Sequence, residues 1–153
     1  MEQGLTYEEY LERYPRLVRT NVGVSMLPLL RQGRDLFIVE KRGPDRLKAG
    51  DVVLYRRPPA QYVLHRIVEV REKDYVIAGD NCWQREIIPH GQVVGIAVRF
   101  YRGGRWHEVT DPGYRLYARV WTDLFYVRRP FLWLRDKAAA LLRRLRNRVR
   151  KRT

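Results

Sequence analysis

The stretch GDVVLYRRPPAQYVLHRIVEVREKDYVIAGDN (50–81) decides the fold. It holds three short runs, DVVLYR (51–56), YVLHRIVEV (62–70) and DYVIA (74–78), all rich in Val, Ile and Tyr. Turn residues bound them: Gly50-Asp51, Pro58-Pro59 and Gly79-Asp80. β-Branched and aromatic residues in runs of this length, punctuated by Gly, Pro and Asp, read as strands. Working outward, DLFIVEK (35–41), VVGIAVRFY (93–101) and RWHEV (105–109) repeat the pattern, with breaks at Gly33, Gly43-Pro44, Pro89 and Gly103-Gly104. The spacing predicts a compact coiled β-sheet or partial barrel over residues 21–111, with no interior helix.

Both flanks read as helical. In residues 1–20, Leu5, Tyr7, Tyr10, Leu11, Tyr14 and Leu17 supply the apolar side chains. The Thr6–Glu9 spacing is that of a capping box, and Pro15 ends the helix. In residues 112–153, one segment is expected over 114–127 and a second from Pro130, a residue suited to a first helical position. Leu134, Ala138, Leu141, Leu142, Leu145 and Val149 recur there at helical spacing, with arginines on the other face. The fold class is therefore mainly β (α+β), with a short N-terminal helix and C-terminal helices.

Composition bounds the function. Of 153 residues, 45% are hydrophobic and 31% charged, which is a globular balance for one domain. The single cysteine, Cys82, excludes an internal disulfide and a cysteine-based zinc site, so a reducing compartment is allowed. His90 and His107 have no metal-ligand spacing with Cys82, and neither a metal nor a cofactor is expected. The acidic start has no apolar core, so neither a secretory signal nor a membrane anchor is expected there. No apolar run approaches about 18 residues, FLWL (131–134) being far too short, and no segment is expected to span a bilayer. The net charge of +14 is uneven: residues 112–153 hold 13 Lys/Arg against 2 Asp/Glu. An anionic partner is expected for the tail rather than for the body.

Four residues stand out for chemistry. Ser25 lies between Gly23 and Pro28, where a tight turn can expose a nucleophilic Oγ beside free N–H groups. His65, inside a strand, carries the imidazole suited to a general base at neutral pH. Asp80, on the Gly79-Asp80-Asn81 turn, can orient that imidazole, and Glu86 is a second carboxylate able to do the same. The first three each have an ordinary structural reading: loop serine, strand histidine, turn aspartate.

Taken in order, these segments resemble the type I signal peptidase family. GVSMLPLL (23–30) is similar to its Ser-Met-x-Pro box, and GDVVLY (50–55) to its Gly-Asp-hydrophobic strand. VLHRIVEV (63–70) resembles the box of the general base, IAGDN (77–81) the Gly-Asp-Asn box, and GQVVGIAVRF (91–100) the closing strand. His65 stands where most bacterial members and the related self-cleaving repressors place lysine. The resemblance is therefore to the histidine branch found in the endoplasmic reticulum, archaea and sporulating bacteria. It implies a signal-peptidase-type catalytic domain, a serine endopeptidase, with Ser25 as nucleophile, His65 as base, and Asp80 ranked slightly ahead of Glu86 as the orienting carboxylate. It also implies an extended peptide or precursor-protein substrate with small residues before the cleaved bond, bound beside Met26, Val63 and Leu64.

The family's hydrophobic segment ahead of the serine box has no counterpart in the roughly twenty polar residues here. A cytoplasmic location is expected. Residues 130–152 then have two readings: an interfacial amphipathic helix on the inner face of an anionic membrane, or a helix whose Trp121, Phe125 and Leu134 neighbours pack on the body while its arginines are solvated. A self-cleaving repressor would need a DNA-binding domain ahead of the serine. A nucleic-acid binder would leave the five ordered boxes unexplained, so nucleic acid is not the expected partner.

Overall fold

The computed structural model describes residues 4–43 and 46–150, with the Val149 side chain outside that description. Pro44 and the last three tail residues also lie outside the described residues. The body is an antiparallel sheet of eight strands: β1 (Arg16–Thr20), β2 (Leu36–Lys41), β3 (Val52–Arg57), β4 (Gln61–Val70), β5 (Asp74–Ala78), β6 (Glu86–Pro89), β7 (Val93–Arg102) and β8 (Arg105–Glu108). Their order is β1-β2-β7-β3-β4-β5-β6, with β8 also paired to β7. Helix α1 (Tyr7–Arg13) precedes the sheet, and α2 (Pro112–Asp123) and α3 (Phe125–Arg150) follow it. The chain is thus mixed α+β and dominated by one sheet.

Both faces of the central strands are covered. Val52 and Leu54 of β3 join Leu17, Met26, Leu30, Phe37 and Phe100 in one apolar cluster. The intervening Val53 and Tyr55 join Ile67, Tyr75, Ile77 and Ile88 in another. Because strand side chains alternate sides, a run apolar at every position belongs to a strand buried on both faces, and this explains VVLY. The sheet bends at three register shifts, between Ile38 and Val39, Leu54 and Tyr55, and Ile67 and Glu69. Such bulges increase local twist and let a sheet coil.

Several expectations need correction. Among described residues 4–20 the short helix is Tyr7–Arg13, ending before Pro15 and carrying its capping box, with Thr6 and Glu9 bonded reciprocally; the rest of the N-terminal segment is not helical. Arg16–Thr20 forms an edge strand in which Leu17 alone is buried, so its periodicity is nearly silent. Glu86–Pro89 is a second unexpected edge strand, with Ile87 exposed and Pro89 at its end, where a missing N–H is tolerated. The boundary between the C-terminal helices falls at Leu124, and Pro130 lies inside α3. Backbone bonds continue across the junction, from Leu124 N–H to Val120 O and from Arg128 N–H to Leu124 O. The first-turn position expected for Pro130 is held by Pro112 in α2. Among the described residues of the body, the one helical interruption is a 3₁₀ turn, His90–Gln92, where no interior helix was expected.

Candidate active site

Ser25 lies on a compact turn between β1 and β2. Gly23 enters that turn at φ 84°, in the left-handed region that glycine adopts without steric penalty. Leu27 N–H donates to Val24 O at 3.2 Å and Leu30 N–H to Met26 O at 2.9 Å. The buried Asn21 side chain braces the turn from below, donating to Gly23 O and Leu30 O. Met26, Leu29 and Leu30 anchor it in the core while Ser25 stays half-buried at the surface. Met26, expected beside the substrate, is 1% exposed and belongs to the core instead. Its role is to fasten the turn.

The Gly79-Asp80-Asn81 segment grips the serine turn. Asn81 N–H donates to Ser25 O at 2.8 Å, and the Asn81 amide donates to Val24 O at 3.1 Å. Gly79 permits this approach: a Cβ there would stand 2.6 Å from Ser25 O and 3.0 Å from Ser25 Cβ. Glycine is required by proximity here, not by its backbone angle.

Asp80 does not play the part ranked first for it. Its carboxylate takes a bidentate pair from Arg66, at 2.8 and 2.7 Å, and a third bond from the Tyr117 hydroxyl at 2.8 Å. Both side chains of the ion pair are 1% exposed. Its carbonyl accepts from Trp121 Nε1 and Arg128. A carboxylate with its oxygens so engaged is a structural tie between β4, the Gly79 turn and α2.

Glu86 is the carboxylate at His65. Its Oε1 lies 3.6 Å from His65 Nδ1, with the Tyr55 hydroxyl 3.5 Å from the same nitrogen. Tyr55 donates to Glu86 at 3.0 Å, and Arg57 holds both carboxylate oxygens. Burial pushes the Glu86 carboxyl up, but the Arg57 and Tyr55 bonds outweigh it, and its pKa lies below the usual value. Burial lowers His65 to about 4, against the pull of Glu86. The ring is therefore neutral at pH 7, the form a base requires.

A pH profile tests this. If His65 is the base, kcat/KM is expected to hold between pH 7 and 5 and to fall with an apparent pKa near 4. An acid limb near 6.5 would contradict the buried ring. Stability moves with it: the unfolded chain takes up a proton below about pH 6.5 that the native ring refuses. This contribution is complete above pH 6.5 and is lost as the pH falls toward about 4. Between pH 7 and 5 the unfolding free energy from urea titrations should fall by roughly 2 kcal/mol more in wild type than in His65→Asn.

Ser25, His65, Glu86 and Cys82 open onto one cavity of about 360 Å³. Gln61, Tyr62, Val63 and Leu64 line it too. This part of β4 pairs with β3 throughout, whereas β5 pairs only from Arg66 onward. Among the described residues the cavity thus contains a strand edge with no partner on one side, a template for an added strand. Burial raises the Cys82 thiol, so it is not an activated thiolate. Among the described residues no cluster of His, Cys, Asp or Glu could hold a metal ion.

Tyr55, Arg57 and Arg66 were not picked out by sequence reasoning. Tyr55 and Arg57 lie two and four residues along β3 from Val53, on the same face, and Val53 is opposite His65 across the pair, so strand period two is the signal for that group. Arg66 gave none. Comparisons of the chain with family models, curated proteins and solved structures find no match.

Proposed function

We propose that this chain is a serine endopeptidase of the signal-peptidase type, cleaving a peptide or precursor protein through Ser25 and His65. The observation that carries the reading is the meeting of Ser25 and a neutral His65 in one cavity bordered by a free strand edge. A substrate strand pairs along Gln61–Leu64, which brings its scissile carbonyl to the serine. His65 takes the Ser25 proton as Oγ attacks the carbonyl carbon. Glu86 stabilises the resulting imidazolium through Nδ1. The proton passes to the leaving amine, and water then hydrolyses the acyl ester by the reverse route. The Ser25 N–H supplies an oxyanion contact.

The test uses a fluorophosphonate probe and a pooled peptide library. Wild type should be labelled and should cleave; Ser25→Ala should do neither. His65→Ala should lose cleavage by at least about a thousandfold. Equal labelling of wild type and Ser25→Ala, or no labelling and no cleavage of any peptide, defeats the reading.

A further inference from the structure

Helix α3 carries a stripe that the body leaves uncovered. Val127, Phe131, Leu134, Leu141, Leu142 and Leu145 are each 48% to 70% exposed. At 100° per residue they fall on one face, together with the exposed Ala138, and the stripe runs about 27 Å along the helix axis. The body holds the other face. Phe125 is 1% exposed, Arg128 donates to Asp80 O and Trp121 O, Arg129 to Trp83 O, and Arg135 to Asn81. Of the two readings of the tail, packing on the body accounts for Phe125 and, through its indole bond, Trp121; it leaves Leu134 61% exposed.

Charge narrows the choice of occupant. Residues 125–150 contain nine Lys/Arg and a single acidic residue, Asp136. Arg143, Arg144, Arg146, Arg148 and Arg150 are all exposed. A second copy of α3 laid on the stripe would bring two strongly cationic helices together. Nucleic acid would satisfy the arginines but leave the stripe in water. A surface offering both negative headgroups and an apolar layer beneath them satisfies both features at once. Trp133, with Lys137 5.7 Å over its ring, suits the boundary between them. Among the described residues no helix is long and apolar enough to cross a membrane, so the geometry is one of lying in the surface.

We propose that α3 docks the protein on an anionic lipid bilayer, its apolar stripe entering the boundary below the headgroups and its arginines neutralising them. The inference does not depend on the peptidase reading. Because α3 is bonded to Asp80, Asn81 and Trp83, docking would hold the Ser25 cavity at a fixed distance from the lipid.

The experiment is flotation of the full chain with vesicles of phosphatidylcholine alone or with one-quarter phosphatidylglycerol, at low and high salt. Binding to the anionic vesicles is expected, falling at least about tenfold at 0.5 M salt, in Leu134→Asp/Leu141→Asp and in Arg143→Glu/Arg144→Glu. These side chains are exposed, so melting temperatures should not change. The proposal is overturned by no flotation with anionic vesicles, by binding indifferent to the leucine variant, or by a stripe-dependent dimer in sedimentation with no vesicle binding. Tighter binding to a DNA duplex than to vesicles, unaffected by the leucine variant, overturns it in favour of nucleic acid.

Discussion

Asp80→Ala is expected to destabilise the fold by about 3–5 kcal/mol, because it leaves the Arg66 guanidinium buried without its counter-charge. Arg66 is 1% exposed; besides Asp80 its partners are Gly50 O at 2.7 Å and the Tyr114 hydroxyl at 3.4 Å. Neither is anionic. For a chain of this size the loss corresponds to a fall in Tm on the order of 10 °C. The Tyr117 hydroxyl would lose its acceptor as well, loosening α2 from the Gly79 turn. A buried ion pair is costly to break and cheap to replace whole, so Arg66→Met/Asp80→Leu should be less destabilised than Asp80→Ala. Glu86→Gln provides the contrast: Glu86 is only partly buried at the cavity wall, so this variant should melt close to wild type while losing turnover. If Asp80→Ala melted normally and lost only activity, Asp80 would belong to the reaction and the assignment of the two carboxylates would be reversed.

These two carboxylates show how far the sequence could be read. Ser25, His65 and Glu86 were picked out from residue type and order, and they share one cavity. What order along the chain could not supply was the competition for Asp80. Arg66 follows His65 directly, so on a strand it points to the opposite face. There it meets Asp80 and Tyr117 inside the protein, while His65 faces the cavity. The central strands were legible because VVLY and YVIA are apolar at every position. The edge strands were not: Arg16–Thr20 buries one side chain and Glu86–Pro89 one as well, too few for any period to emerge. Met26 was misread for a related reason. It neighbours the serine in sequence, but the turn sends it inward as the serine's anchor.

Gly79→Ala is expected to lower kcat/KM by about a hundredfold or more while the rest of the sheet stays folded. The added methyl would fall 2.6 Å from Ser25 O and 2.9 Å from Cys82 Sγ. The thiol can rotate away, but the carbonyl belongs to the backbone of the serine turn and is held by Asn81 N–H at 2.8 Å. Relief therefore requires the Gly79 turn and the serine turn to separate. That stretches the Asn81 bonds to Ser25 O and Val24 O and shifts Ser25 within the cavity it shares with His65. On the proposed mechanism a displacement near 1 Å suffices for an effect of this size, because attack would require the close approach of Oγ. Gly91→Ala is the matched control, since its Cβ would meet nothing within 4 Å. The rate of fluorophosphonate labelling isolates the serine from substrate binding. Slow labelling in Gly79→Ala with a wild-type rate in Gly91→Ala would establish that close contact between the two turns positions the nucleophile. Wild-type labelling in Gly79→Ala would mean that the serine turn yields without consequence, and that its contact with Gly79 serves only to pack the surface.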